Sequence, residues 1–525
     1  MFQRRRIVLI SVFICVHLWL LALVSCSSKP TDMRTLVPSD TLVYLETNDL
    51  GAALQPITDS KPFNEVAKKK PDLSTIKGVQ LAVAITGFET SEEKVNEEQA
   101  IGKIQPHFVA IADTHAWQFQ TTRFAEQKLG AFVADIYDSE PTLEEHEKGG
   151  GHYLTWTAKD GRKAFALVKG SLIYFGNDES SIEKSLAVAR GEADSIAKTG
   201  KVPVSDPDTL ASGYVSQDGV AQIANVFALK LAQDASDEGE VQSAIASIVP
   251  QLVRKNITDL RWTATKTDQG YEDKWQIVMP PERAELFEKD MAAHPGEKSY
   301  RFSNVPDVDS VTFYNFDDPA RAWQTFLGSQ TANLTDPQAK VMKILPTALL
   351  EPYGIADIKG FLQSLRPGIL TGHALMEGDQ FFVSADIANA DRLKKSMVPM
   401  QLKSPAEGIR IYEDSDNSVA AVYPGNTFLV SGSPAGVGLW SQGEPDIPAS
   451  WVTKLGDTTA PVTSIGKEIQ TAPDVAEMLS EKKTENASAT TTYYSETRFT
   501  KTGIERKTTS DLGFLGWMIA QLAEE

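Results

Sequence analysis

The distribution of apolar and polar positions divides the chain into two unlike parts. From Ile7 to Val24 the residues are apolar, interrupted by Ser11 and His17 alone. No later apolar run approaches that length. Instead, short β-branched and aromatic stretches alternate with helical ones, separated by turn residues. This pattern is written twice. Asp40-Thr-Leu-Val-Tyr-Leu-Glu-Thr-Asn-Asp49 follows Pro38 and reads as a strand closing on an aspartate, as does Asp309-Ser-Val-Thr-Phe-Tyr-Asn-Phe-Asp-Asp318 after Pro306. A helix is predicted after each, over 50–57 and 319–327. Asp49 and Asp318 can cap its free amides, and Pro319 sits where a missing N–H costs nothing.

The correspondence continues in order. Residues 108–113 match 381–386, each followed by a helical segment (116–129 and 388–396). Strands predicted at 152–158, 163–168 and 171–176 turn at Lys159-Asp160-Gly161 and Lys169-Gly170. Their counterparts at 409–413, 418–423 and 427–431 turn at 414–417 and Pro424-Gly425-Asn426. Last, Thr265-Lys266-Thr267 leading to Gly270 parallels Thr500-Lys501-Thr502-Gly503, each read as a hairpin whose turn centres on the glycine. Four matches in one order imply an internal duplication. The expected organisation is a leader over 1–25, a tether over 26–34, a first repeat domain over 35–285, a linker over 286–302 and a second repeat domain over 303–525. The linker carries the Pro/Gly-bearing stretch Ala292-Ala-His-Pro-Gly-Glu-Lys-Ser299. Tight turns between strands predict an α+β fold of two homologous halves, each mainly antiparallel sheet with helices packed on one face. The glutamate-rich stretch 90–99 reads as a solvated loop inserted in the first copy. A second insertion, 234–256, reads as a helix ending in Arg254-Lys255.

Composition and charge narrow the function. The chain has 525 residues, 42% hydrophobic and 23% charged, with a net charge of −19. Arg4, Arg5 and Arg6 precede the apolar run, and Leu23-Val24-Ser25-Cys26 closes it, with Ser27 and Ser28 following. A basic start, an apolar core and a small residue before the cut describe a secretory signal. Leu23-Val24-Ser25-Cys26 resembles the lipobox of bacterial lipoproteins. The resemblance implies cleavage between Ser25 and Cys26, a diacylglycerol thioether on the Cys26 thiol, and acylation of the new amine by a chain such as palmitate. Several acyl chains anchor a protein stably where one does not. Ser27 in place of an aspartate implies, by the same resemblance, the outer membrane of the bacterial cell envelope. An uncut anchor is the alternative, since a run of this length can just span a bilayer, but it gives no role to Cys26. Removing the leader, with its three arginines and no acid, takes the charge from −19 to −22. Such a polyanion disfavours nucleic acid as a partner. The other cysteine, Cys15, lies in the leader, so the mature chain has no pair for a disulfide.

The candidate chemistry is thin. Glu144-Glu145-His146-Glu147 with His152 is the best metal-ligand cluster, but it lacks helical H-E-x-x-H spacing and reads as an acidic surface loop made pliant by Gly149-Gly150-Gly151. Asp414-Ser-Asp416-Asn417 starts like a calcium loop, but Val419 and Gly425 stand where glycine and glutamate are required. Ser-x-x-Lys occurs at Ser91/Lys94, Ser181/Lys184 and Ser480/Lys483 without its companion motifs. The mature histidines (His107, His115, His146, His152, His294 and His373) are scattered. No phosphate-binding glycine loop or nucleophile elbow is present. No catalytic residue, metal ligand or cofactor is assigned. Trp156, Trp262, Trp275, Trp323, Trp440 and Trp517 read as packing residues, and the helix starting at Phe514 as docking on its own domain.

The opening Pro38-x-Asp40-Thr41-x-x-Tyr44 resembles the start of an uncharacterised family of exported bacterial proteins, a domain of unknown function, which implies no activity. The expectation is a lipid-anchored envelope protein that binds or scaffolds, with the membrane and an envelope protein as partners. An envelope hydrolase and a periplasmic carrier of an apolar ligand are the alternatives. The two copies are expected to meet in a cleft.

Overall fold

The structure, a computed structural model, describes residues 31–59, 73–94, 100–137, 139–202, 208–235, 239–268, 270–295, 310–331, 350, 353–374, 380–406, 409–414, 418–423, 425–431, 448–469 and 490–516. Among these described residues, twenty strands pair into one sheet. The first ten are β1 (Val43–Thr47), β2 (Gln80–Lys94), β3 (Ala100–Asp113), β4 (Thr142–Lys148), β5 (Gly151–Thr157), β6 (Lys163–Lys169), β7 (Leu172–Gly176), β8 (Thr209–Ser216), β9 (Asp259–Thr267) and β10 (Gly270–Val278). The second ten are β11 (Ser310–Tyr314), β12 (Ile369–Ala374), β13 (Gln380–Asp386), β14 (Gln401–Ala406), β15 (Ile409–Glu413), β16 (Val419–Val422), β17 (Thr427–Ser431), β18 (Val462–Ile469), β19 (Thr490–Thr500) and β20 (Gly503–Ser510). Across the sheet the first ten run β4-β5-β6-β7-β3-β2-β1-β8-β9-β10, all antiparallel. The second ten run β14-β15-β16-β17-β13-β12-β11-β18-β19-β20, the same order with ten added to each number. The two series join through β10 and β20. Among the described residues the sheet does not close, and β4 and β14 are its edges.

The helices are α1 (Leu50–Thr58), α2 (Gln118–Phe124), α3 (Gly130–Ile136), α4 (Glu179–Ala189), α5 (Gln217–Ala235), α6 (Gly239–Asn256), α7 (Pro281–Asp290), α8 (Pro319–Thr331), α9 (Ile358–Ser364), α10 (Ala390–Ser396) and α11 (Ala449–Asp457). A π-helical turn, Ala125–Leu129, joins α2 to α3. Asp49 caps α1 by accepting from the Ala52 amide, and Asp318 caps α8 by accepting from Arg321. Each such cap stabilises a helix by about 1 kcal/mol.

Two expectations about this architecture are corrected. The α+β class, with helices on one face of each half, gives way to one sheet-dominated structure with helices on both faces at β7 and at β17. The reason lies in the strands. In β7, Ile173 and Phe175 join one buried cluster with the π turn and α3, through Ala125 and Val133. Tyr174, between them, joins another with Ile182 and Leu186 of α4 and with Met33. The second series repeats this: Leu429 of β17 packs with Trp451 and Leu455 of α11, while its neighbours Phe428 and Val430 pack with Phe361 of α9 and Leu393 of α10. Because successive strand side chains point to opposite faces, a strand that is apolar throughout needs cover on both. Burying each large side chain stabilises the fold by roughly 1.5–3 kcal/mol. The solvated loop expected at 90–99 is also corrected at its start, since Thr90 to Lys94 continue β2 and pair with β3 from Ile104 to Ala100.

The junction is a strand pair in place of the expected cleft. β10 and β20 align from Tyr271 opposite Ser510 to Val278 opposite Gly503. Laying Gly270 on Gly503 makes Lys274 the counterpart of Lys507, and these two lysines face each other at the middle of the seam. Glu272 takes both ammonium groups, Lys274 at 3.3 Å and Lys507 at 2.5 Å. Asp273, buried, accepts from the Trp262 indole N–H and from the Phe514 amide, both at 2.8 Å. Phe514 meets Trp262 and Trp275 edge to face, so the start of the C-terminal segment docks on the first series of strands. Residues 517–525, including Trp517, lie outside the described residues. Helix α7 adds Phe287 to a cluster holding Ala322, with Phe499 and Ile504 against it.

The glycine match is found in the hairpins, although the turn is offset from the one expected. Thr267 opposes Gly270, and Thr500 opposes Gly503, so each glycine is the first strand residue after the turn. Each threonine hydroxyl donates to the carbonyl of its glycine at 3.2 Å. The equivalent of Thr500 is therefore Thr267 rather than Thr265.

Candidate functional site

Cys26 and Ser25, with the whole leader, lie outside the described residues. Thr31, the first described residue, is tied down by two hydrogen bonds. Its amide donates to Gln80 Oε1 at 2.8 Å and its hydroxyl to Asp113 Oδ2 at 2.7 Å. Next, Asp32 accepts from the Arg34 amide and guanidinium, Arg34 reaches the Val202 carbonyl at 2.8 Å, and Met33 and Val37 are buried. Asp113 closes β3 and also accepts from the His115 amide at 3.0 Å. Burial alone would raise its pKa. The bonds from Thr31, His115 and Ser171 outweigh burial and hold the carboxyl below its ordinary range.

Past Asp113 the chain turns at His115, whose φ of 51° is uncommon outside glycine. It then presents Trp117 at 76% exposure and, in the first turn of α2, Phe119 at 71%. Among the described residues these are the two most exposed large apolar side chains. Phe132, Ile136 and Leu143 are also exposed on the stretch that follows. The other side of α2 and α3 is buried through Thr121, Ala125 and Val133. Sequence reading placed a helix here but missed the two aromatics. An aromatic among glutamines carries no periodic signal that separates an exposed ring from a buried one.

The acidic cluster has a geometry the sequence hid. Residues 142–148 form an exposed edge strand, not the expected loop, and Gly149 and Gly150, both at positive φ, close a tight hairpin onto β5. His152 thereby opposes Glu147 and lies on one face with Glu145, while the π turn brings Glu126 over that face. His152 Nε2 is 3.3 Å from Glu145 and 3.7 Å from Glu126, and Nδ1 is 3.7 Å from Glu147. Nε2 is buried and makes no hydrogen bond. Two carboxylates and one imidazole have donor atoms within 4.8 Å of one another, one donor fewer than a closed zinc site uses. Glu144 and His146 project to the opposite face, where the His146 ring lies 5.0 Å from Tyr153.

The other sequence candidates separate. Ser181 is buried and bonds Asp178 and Thr86, whereas Lys184 points to Asp40, so this Ser-x-x-Lys pair packs rather than reacts. Ser480 and Lys483 are outside the described residues. His107 pairs with Glu89 and Asp178, His294 with Asp317, and His373 stacks on Phe381. Trp156 and Trp451 are core residues, and Trp323 lies against Phe326. Trp440 is outside the described residues. The start of the calcium-like motif, Asp414, accepts from the Ser418 amide and closes a hairpin turn.

The fold defines a sheet-dominated protein in which one strand order is used twice. Among the described residues no helix is long and apolar enough to cross a membrane. No family model matches the chain, and neither does any curated protein. Among solved structures it is similar to TP0453: crystal form I at 11% identity and TM-score 0.24, covering 38% of this chain and 76% of that one, and crystal form IV at 10% identity and TM-score 0.24, covering 43% and 100%. A likeness at that TM-score carries no argument about this chain.

Proposed function

We propose that the mature protein begins at Cys26, carries acyl chains there, and works as a non-catalytic binding or scaffolding protein on the outer membrane of a bacterial cell envelope. The observation that carries this reading is Leu23-Val24-Ser25-Cys26 behind Arg4, Arg5, Arg6 and the apolar run. The tether supports it. Thr31 is fastened to Gln80 and Asp113 only five residues beyond Cys26, so an anchor there would hold the body close to the bilayer. The repeated strand order supports reading 35–285 and 303–525 as two repeat units. A membrane and an envelope protein are the partners this reading calls for.

Intact-mass measurement of the membrane-extracted protein is the test. The expected mass is that of a chain starting at Cys26 plus a diacylglyceryl group and one further acyl chain, and Cys26→Ser should remain uncut or leave the membrane fraction. A processed chain with a bare Cys26 would overturn the proposal. Crosslinking from the anchored protein then identifies its envelope partner.

A further inference from the structure

We propose that Trp117 and Phe119 form a second membrane contact, seating the first strand series against the lipid interface beside the anchor. The inference rests on the lipid-anchor reading and goes beyond it by assigning a docking face. The argument starts from position. Thr31 is hydrogen-bonded to Asp113, and Trp117 lies four residues further along the chain. Cys26 lies five residues before Thr31, so at ~3.3–3.6 Å per residue the lipidated residue stays within about 18 Å of Thr31. The two most exposed aromatics therefore occur where the acyl chains hold the body nearest the bilayer.

The internal repeat supplies a control within the molecule. After Asp386, the counterpart of Asp113, the chain enters α10 with exposed Ala388, Asn389, Ala390, Asp391 and Arg392. Only the copy that carries the tether replaces this polar shoulder with tryptophan and phenylalanine. Fold maintenance does not explain the change, because both rings stand in solvent while α2 and α3 bury other residues in the core. Tryptophan suits the headgroup region, being apolar in body with one polar N–H. With a mature charge of −22, a zwitterionic surface is the lipid chemistry that fits.

The mature chain has no free thiol once the Cys26 sulfur carries its diacylglyceryl thioether, so Phe119→Cys and Ala390→Cys can each carry an environment-sensitive fluorophore in the full-length lipidated protein. Both positions are exposed, so labelling leaves the core intact. The vesicles contain phosphatidylcholine and phosphatidylethanolamine with spin-labelled chains. The expected result is a blue shift and at least ~2-fold quenching at position 119, with position 390 unchanged. Aqueous emission at 119 in a protein whose mass shows acylated Cys26 would overturn the docking alone. A bare Cys26 would overturn the anchor reading beneath it. A blue shift without vesicles that grows with protein concentration would assign the face to a second copy and also count against the proposal.

Discussion

At the residue scale, the seam is held by a few positions whose chemistry is narrow. Gly503 has a φ of 137°, and an added Cβ would lie 2.1 Å from the Ile277 carbonyl oxygen on the facing strand. Gly161 has a φ of 90° with open space around it. Gly161→Ala should therefore show backbone strain alone, roughly 1–3 kcal/mol. Gly503→Ala should lose visibly more, read as a lower urea midpoint. Asp113 gives a pH test. Its pKa is depressed in the folded chain, so its contribution is complete above the ordinary aspartate value of 3.8 and is lost as pH falls through the lower folded value. The Thr31 amide donates to Gln80 while its hydroxyl donates to Asp113. The amide should therefore stay protected from hydrogen exchange at pH 4.5 and lose part of that protection well below 3.8 as the second tie weakens, whereas Asp113→Ala should lower it at both. Loss of protection at pH 5 would show that Asp113 does not hold the tether.

At the element scale, β4 shows how an open sheet of this width avoids growing. Its residues are Thr-Leu-Glu-Glu-His-Glu-Lys, nearly all exposed, and among the described residues it pairs only with β5. A row of charges on an edge strand opposes the addition of another strand, because pairing would bring like carboxylates together and strip them of water. Glu145→Val with Glu147→Val should extend the apolar position at Leu143 into an alternating apolar face along this edge. Sedimentation should then show self-association absent from the parent. Unchanged sedimentation would mean that the edge is protected by its twist or by α2 and α3.

At the scale of the whole molecule, the two strand series are one folded body because they share backbone pairing at β10 and β20. Two lysines oppose each other there, and Glu272 is the only carboxylate recorded between them among the described residues. Burial works to raise the Glu272 pKa, but its bonds to Lys507 and Lys274 hold it below its usual value. Its stabilising effect is thus complete above about pH 4.5 and fades below. Glu272→Gln should lower stability by about 0.5–1 kcal/mol at low salt, with recovery in 1 M salt as the lysine repulsion is screened. No salt dependence would make the pair incidental. Proteolytic nicking within 296–309, between the two series, should leave both fragments eluting as one species. Separation without denaturant would show the seam to be weak.

The sequence by itself determined the strand runs, the turns, the Asp49 and Asp318 caps and the doubled order, because these depend on neighbours a few residues away. Gly270 and Gly503 were legible as a pair for the same reason. Only the tertiary structure decided that both sheet faces carry helices at β7 and at β17, that the two series fuse edge to edge, and that residues 142–148 are a strand. An edge strand rich in glutamate has no apolar alternation to reveal it, and its order comes from hydrogen bonds to β5. Likewise, Glu126 meets His152 only because a π-helical turn crosses β5, and Thr31 meets Asp113 across 82 positions of sequence. Such contacts are fixed by packing between distant segments, which local pattern does not encode.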